Sequence, residues 1–341
     1  MSARPDGDLG AAASDGAARP NALPRPPADA PPGAGGPGAP RSAGGWTTGA
    51  PLLRALRPHQ WTKNALLFAP LLLAHELGDP GRLAAVAIAF VSFCCVASAS
   101  YVLNDLLDLG VDRRHPRKRR RPFASGALSI PAGLALAGGA AALGFGLSGI
   151  LLAPAATGML VLYAALATAY SLALKEQLFV DVLVLAGLYT LRVIAGGVAA
   201  AVPVSPWLLA FSVFFFLSLA FLKRYSELLD ARGRRLERLS GRSYETADIG
   251  LVETMGTTSG YLAILVLCLY VSHADIRVLY PAPEMLWGMC PLMLFWITRI
   301  WFLARRGVVS GDPVLFAARD RTSLVTAALV VAVVALAAVW R

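Results

Sequence analysis

Apolar segments long enough to cross a lipid bilayer recur between residues 64 and 340. A membrane-spanning helix needs about 20 mainly apolar residues. The chain of 341 residues is 56% hydrophobic and only 15% charged, which is typical of a polytopic membrane protein. We therefore predict an all-α, polytopic membrane helix bundle with about nine transmembrane helices around a central cavity. These helices are expected at roughly 64–78, 82–105, 129–151, 154–173, 178–200, 204–222, 250–272, 283–304 and 322–340.

The first 45 residues have a different composition from the rest of the chain. Residues 1–45 are rich in Pro, Ala and Gly and contain almost no large apolar side chain. Such a segment cannot bury a hydrophobic core, so we expect it to be a disordered tail. Residues 46–341 then form the transmembrane domain.

Basic residues are distributed unevenly between the predicted loops. If the N-terminus is cytoplasmic, the cytoplasmic loops carry 19 Lys and Arg residues and the opposite side carries three. This asymmetry predicts a multi-pass protein of the cell membrane whose N-terminus and active site face the cytoplasm. The net charge of +10 then reflects topology and anionic ligands, and no nucleic-acid partner is expected.

An acidic motif stands at the end of the second predicted helix. Asp105, Asp108 and Asp112 have i, i+3, i+7 spacing, with Asn104 beside them. On one helix the three carboxylates fall within roughly 60° of arc. Aligned carboxylates repel one another unless a cation lies between them, and Mg²⁺ prefers oxygen ligands. We therefore predict that the three aspartates are catalytic and bind Mg²⁺.

A strongly basic run follows the acidic motif. Residues 113–121 contain seven Lys or Arg residues, among them Arg120 and Arg121. These side chains would attract the phosphates of a substrate that shares the metal. A solvated turn at the membrane surface would also explain the basic run, but it would not explain why the preceding acids share a face.

Two later segments carry charges within or beside predicted helices. Helix five begins near Lys175 and contains Asp181, Tyr189 and Arg192. Asp181 and Arg192 are three turns apart and share a face, so Asp181 is predicted to orient Arg192 toward a phosphate, with a structural ion pair as the equal alternative. Helix six ends in a charged group that forms either an exposed salt-bridged end or a second cation–phosphate site: Lys223, Arg224 and Glu227.

Two further polar stretches flank the apolar segments. Residues 57–64, which include Lys63 and Asn64, carry more hydrogen-bonding groups than a membrane-interface anchor needs. In the last cytoplasmic loop, Asp312-Pro313 has the pattern of a helix start, with Asp as the cap and Pro at the first position.

The NDxxDxxxD pattern of Asn104, Asp105, Asp108 and Asp112, on nine predicted helices, resembles the UbiA-type superfamily of intramembrane prenyltransferases. The similarity covers roughly residues 50–341. Members that prenylate aromatic acceptors usually carry a second aspartate-rich motif after helix six, and this chain has Lys223 to Glu227 there instead. It therefore looks like the branch typified by decaprenyl-phosphate phosphoribosyltransferase.

The resemblance implies an Mg²⁺-dependent transfer of 5-phosphoribosyl from phosphoribosyl pyrophosphate to a polyprenyl phosphate such as decaprenyl phosphate, for cell-wall arabinan precursors. The alternatives are an ordinary prenyltransferase that uses a prenyl diphosphate and, third, a transporter of an anionic lipid or solute. A homo-oligomer is left open. The substrate-binding residues that the resemblance implies are Lys63, Asn64, Asn104, Arg120, Arg121, Lys175, Asp181, Tyr189, Arg192, Lys223, Arg224 and Glu227.

Overall fold

The computed structural model describes residues 49–114, 118–239, 241–274, 276–309 and 311–340. These residues form an all-helical bundle, and the described part of the chain has no β-strand beyond an isolated bridge between Arg238 and Glu245. The fold class predicted from the sequence is thereby confirmed. The predicted disordered tail lies outside the described residues and stays a prediction.

The described residues contain thirteen α-helices and several 3₁₀ helices. The long 3₁₀ helix is Pro58–Phe68. The α-helices are α1 (Gly49–Leu56), α2 (Ala69–Leu73), α3 (Pro80–Leu107), α4 (Leu109–Arg114), α5 (Ile130–Leu151), α6 (Pro154–Leu172), α7 (Val180–Ala200), α8 (Pro206–Gly233), α9 (Ile249–Ser272), α10 (Ile276–Leu279), α11 (Met289–Arg305), α12 (Pro313–Ala317) and α13 (Arg321–Val339).

Eight helical segments in the described residues are long and apolar enough to cross a membrane, which makes this a multi-pass membrane protein. They comprise α3, α5, α6, α7, α8, α9, α11 and α13, with short 3₁₀ turns extending α9 and α11. The prediction of a regular first helix at 64–78 is wrong. That region is the end of the long 3₁₀ helix followed by the five-residue α2.

Short polar side chains set where several helices begin. Asp79, Ser129, Ser205, Asp312 and Asp320 each accept hydrogen bonds from backbone N–H groups in the first turn of the helix that follows. Proline occupies one of the first positions in four of these five helices, where its missing N–H has no intrahelical partner to lose. The predicted start at Asp312-Pro313 is confirmed.

Two apolar cores lie on either side of α7. One core joins α3, α6 and the long 3₁₀ helix to α7, and the other joins α8, α9 and α11 to α7. Because α7 contributes to both cores, its polar residues Asp181, Tyr189 and Arg192 are buried between the two halves of the bundle.

Adjacent glycines on α7 permit its close contacts with neighbouring backbone. A Cβ atom at Gly196 would lie 2.0 Å from the carbonyl oxygen of Leu67, and one at Gly197 would lie 2.3 Å from the side chain of Val204. Glycines favour such close packing of helices in membrane proteins. At Gly196 the long 3₁₀ helix therefore lies directly against the backbone of α7.

The charged loops meet at one end of the bundle. Lys175, before α7, pairs with Asp108, after α3. Arg242, after α8, donates to the carbonyl oxygen of Lys175, and Asp312, after α11, pairs with Lys63. The candidate site residues lie at or just below this end.

Candidate functional site

An arginine-bridged cluster is built from Asp105, Asp112, Arg57 and Arg121. Arg121 Nη1 donates to Asp105 Oδ1 at 2.9 Å and to Asp112 Oδ2 at 2.6 Å. Arg57 Nη2 donates to the same Asp105 oxygen at 2.6 Å. Both aspartate side chains are 2% exposed, so their charges depend on these guanidinium partners. The cation that lies between Asp105 and Asp112 in this structure is therefore the guanidinium of Arg121.

Asp108 does not join the arginine-bridged cluster. The helix α3 ends at Leu107, Asp108 is its C-cap, and a new helix begins at Leu109, so the spacing expected of one continuous helix is broken. Asp108 instead accepts from Asn104 Nδ2 at 3.1 Å and from Lys175 Nζ at 3.3 Å. The prediction that three carboxylates share one helical face is corrected to two that converge and one beside them.

The donor chemistry of the arginine-bridged cluster suits Mg²⁺. Asp112 Oδ1 is buried and accepts no hydrogen bond within the described residues, although Lys118 Nζ approaches it to 4.0 Å. Across the same part of the chain, no three acidic, His or Cys side chains already surround one point. Asp105 and Asp112 are thus the residues that fit a hard cation, and Asp108 and Asn104 stand next to them.

Arg57 is a member of the cluster that was not among the predicted site residues. Its backbone lies in the left-handed region with φ of 53°, directly before Pro58. That conformation is unfavourable for a branched-chain or long side chain and marks a constrained position. The guanidinium stacks 5.3 Å from the ring centre of Tyr101 while it binds Asp105. The excess of hydrogen-bonding groups in residues 57–64 was the signal that pointed to it.

The basic run divides between the cluster and the surface. Arg121 enters the cluster, whereas Arg120 is exposed and contacts none of the cluster's residues in the described part of the chain. Arg113 and Arg114 are also exposed, and residues 115–117 fall outside the described ranges. Only part of the run is therefore placed to hold a substrate bound at the aspartates.

A second charged group lies around Lys63. Lys63 Nζ forms an ion pair with Asp312 and sits 5.7 Å from the ring centre of Tyr189. Burial alone would raise the pKa of Asp312, but the charges of Lys63 and Lys223 and hydrogen bonds to its carboxylate hold that pKa below the ordinary value. The predicted residues Lys63, Tyr189 and Lys223 therefore come together, with Asp312 as the unpredicted acid among them.

Arg192 is buried beside this group but is not oriented by Asp181. Its guanidinium donates to Asn64 Oδ1 at 2.8 Å, to the carbonyl oxygen of Leu188 at 2.5 Å and to the Tyr163 hydroxyl at 3.0 Å. None of these described partners is a carboxylate. The prediction of an Asp181–Arg192 pair is wrong because another arginine takes Asp181.

That other arginine is Arg224, whose side chain is fully buried. It pairs with Asp181 and with Glu227, and the Tyr244 hydroxyl donates to the remaining Asp181 oxygen at 2.8 Å. Burial, followed by the neighbouring Asp181 carboxylate, raises the pKa of Tyr244 well above its usual range, so Tyr244 stays a donor. Arg224 and Asp181 thus form a structural network, and Glu227, which is 32% exposed, is its outer edge.

Comparison with known proteins places this arrangement in a family. The model of the UbiA prenyltransferase family matches residues 65–313. The chain belongs to the UbiA prenyltransferase family. It is accordingly a membrane-embedded transferase of the UbiA type. The matched range contains Asp105, Asp112 and Arg121 of the arginine-bridged cluster and Tyr189, Lys223 and Asp312 of the second charged group. Arg57 and Lys63 lie before it.

The curated relatives of this chain carry different names. The chain is similar to nodulation protein NoeC of Azorhizobium caulinodans, with 40% identity over 272 residues, 80% of this chain and 88% of the relative. It is also similar to decaprenyl-phosphate phosphoribosyltransferase of Mycolicibacterium smegmatis, with 35% identity over 276 residues, 79% of this chain and 86% of the relative.

Solved structures support the UbiA fold. A UbiA homologue from Archaeoglobus fulgidus bound to GPP and Mg²⁺ superposes with a TM-score of 0.63 over 84% of this chain and 99% of that chain, at 16% identity. This likeness confirms the fold.

Proposed function

We propose that the chain transfers a 5-phosphoribosyl group from phosphoribosyl pyrophosphate to a polyprenyl phosphate, with Mg²⁺ as the cofactor and the reaction on the cytoplasmic side. The observation that carries the proposal is the second charged group. In that group Lys63 pairs with Asp312, and the charge of Lys223 acts on the same carboxylate, while Glu227, the acid after helix six, is paired with Arg224. A site of this charge favours a second phosphate over a second metal ion.

The arginine-bridged cluster would hold the pyrophosphate of the donor. Asp105 and Asp112 are the residues that would carry the metal, and when bound the ion would neutralise the leaving pyrophosphate. Arg57 and Arg121 neutralise these carboxylates in the structure. When a metal ion binds the carboxylates, the two guanidinium groups are placed to bind phosphate oxygens of the donor instead. Planar guanidinium groups suit this exchange because they bind carboxylates and phosphates in the same geometry.

The chemistry requires one bond to break and one to form at the ribose C1. The C1–O bond to pyrophosphate breaks, and an oxygen of the acceptor phosphate forms the new bond. Because the acceptor is already an anion, no general base has to remove a proton.

Isotope transfer distinguishes this function from the ordinary prenyltransferase reaction. Membranes containing the protein are incubated with a polyprenyl phosphate and phosphoribosyl pyrophosphate labelled in the ribose, and separately with a labelled prenyl diphosphate and an aromatic acceptor. We expect label to enter the lipid from the first donor. Product formed only from the prenyl diphosphate would overturn the proposal. The same assay in detergent, where no membrane barrier exists, separates transfer from transport.

A further inference from the structure

Asp312 reaches the second charged group from a part of the chain 249 positions beyond Lys63. The short helix α12, which Asp312 caps, packs against both the long 3₁₀ helix and α8. The side chains of Lys63 and Asp312 are 11% and 12% exposed, so their ion pair is largely shielded from water. Such a pair needs close geometry to offset the loss of hydration.

The carboxylate of Asp312 is held at both of its oxygens. Oδ1 accepts from the backbone N–H groups of Val314 at 3.1 Å and Leu315 at 3.3 Å, and Oδ2 accepts a hydrogen bond from Lys63 Nζ. A lysine ammonium on a four-carbon stem has many rotamers, and fixing it costs entropy. Because Asp312 is already fixed by the helix cap, it holds Lys63 in one position before any ligand arrives.

The charges around this position leave an excess of positive charge. Lys63 Nζ and the Arg192 guanidinium approach the same Tyr189 ring, at 5.7 Å and 5.6 Å from its centre. Lys223 acts electrostatically on both Tyr189 and Asp312. The group therefore contains more cations than carboxylates, and the surplus suits a phosphate monoester, which carries a charge of about −1.5 to −2 near pH 7.

We propose that Asp312 is the positioning residue of a phosphate-monoester site in which it holds Lys63 beside Lys223 to bind the anion. The inference rests on the proposed function, because both of its substrates carry a phosphate monoester. The anion is either the phosphate of the polyprenyl acceptor or the 5-phosphate of the donor. A prenyl diphosphate and an aromatic acceptor would supply neither.

The test compares two aspartates with the same local role. Asp312→Asn keeps an oxygen that can cap α12 but removes the charge that holds Lys63. Asp320→Asn is the matched control, since Asp320 also caps a helix and also pairs with a basic side chain, that of Arg299. The kcat and the KM for phosphoribosyl pyrophosphate and for a short-chain polyprenyl phosphate are measured with the full-length protein in detergent.

We expect Asp312→Asn to raise one KM by about tenfold, equal to about 1.4 kcal/mol of binding, while kcat changes little. The substrate whose KM rises is the source of the monoester. In the Lys63→Gln background the same substitution should add nothing, because Asp312 acts through Lys63. Asp320→Asn should leave both KM values unchanged. Two unchanged KM values for Asp312→Asn, or additive effects in the double variant, would overturn the inference.

Two further measurements keep the result interpretable. If Asp312→Asn fails to fold, Asp312→Ser, which also retains a capping oxygen, takes its place. Direct binding of farnesyl phosphate and of ribose 5-phosphate to wild type and variant is measured without turnover. Weaker binding of either probe by the variant supports the site even if no phosphoribosyl transfer occurs, whereas equal binding of both rejects the site even if transfer occurs.

Discussion

At the scale of single residues, each buried charge among the described residues has a hydrogen-bonding partner from a different element. Asp105 forms ion pairs with Arg57 and Arg121, and Asp181 forms one with Arg224. Arg192 donates hydrogen bonds to neutral oxygens in place of a carboxylate. An unpaired buried charge costs several kcal/mol, so the removal of one partner alone destabilises the folded state. Substitutions that remove one partner should therefore separate structural charges from those used in the reaction.

The Asp181–Arg224 pair is expected to be structural. Asp181→Asn leaves the fully buried Arg224 without its inner carboxylate and should reduce the free energy of unfolding by about 3–5 kcal/mol. Glu227→Gln removes only the partly exposed outer partner and is the matched control, with a much smaller loss. Thermal unfolding in detergent measures both variants. Equal losses of stability would contradict this assignment.

The converging aspartates are expected to act in the reaction. Asp105→Asn and Asp112→Asn should each reduce kcat by at least about 100-fold, because both carboxylates are needed to hold the ion that neutralises the leaving group. EDTA should abolish the activity of the wild type, and added Mg²⁺ should restore it. Near-normal turnover by either variant, or full activity in EDTA, would contradict the role assigned to the arginine-bridged cluster.

At the scale of elements, the long 3₁₀ helix supplies one side of both charged groups. Lys63 and Asn64 lie on it and contact α12 and α7, and Arg57 precedes it and contacts α3. Its position depends on the close approach of Leu67 to Gly196. A small change in that contact should move all three polar side chains together.

Two glycines of α7 test this dependence. Gly196→Ala forces the new Cβ against the Leu67 carbonyl, so we expect lower thermal stability and a large loss of kcat/KM. Gly187→Ala is the control on the same helix, because a Cβ at Gly187 meets nothing within 4 Å and alanine favours a helix. Circular dichroism melts and the transfer assay compare the two. A stable, fully active Gly196→Ala variant would contradict the proposed coupling.

The elements also show which parts of the structure the sequence could predict. The long apolar runs and the helix start at Asp312-Pro313 depend on local chemistry, and these predictions are confirmed. The break after Leu107 separated Asp108 from the other acids, and the pairing of Asp181 with Arg224 depended on α8. The first is an end of a helix and the second is a tertiary contact, and spacing along one continuous helix reveals neither.

At the scale of the whole molecule, the charged loops share one end of the bundle, and ring contacts such as His75 with Tyr280 join loops of the other end. The excess of basic residues predicts that the charged end faces the cytoplasm. Cysteines introduced at Leu236 and Gly78, which are exposed at opposite ends, test this orientation.

A membrane-impermeant maleimide added to intact cells should label the Gly78→Cys variant and leave the Leu236→Cys variant unmodified until the membrane is opened. The wild-type chain is the background control, since its four cysteines lie in helices and are buried or half-buried. The reverse labelling pattern would invert the predicted topology.

The rise of the long 3₁₀ helix determines how far the segment before α3 reaches along its own axis. A 3₁₀ helix advances about 2.0 Å per residue and an α-helix about 1.5 Å. Eleven residues of the former in Pro58–Phe68 and five of the latter in Ala69–Leu73 therefore reach about 30 Å, and the first seven of them, residues 58–64, are the polar stretch that carries Lys63 and Asn64. Wound entirely as an α-helix, the same segment would reach about 24 Å, about one turn less.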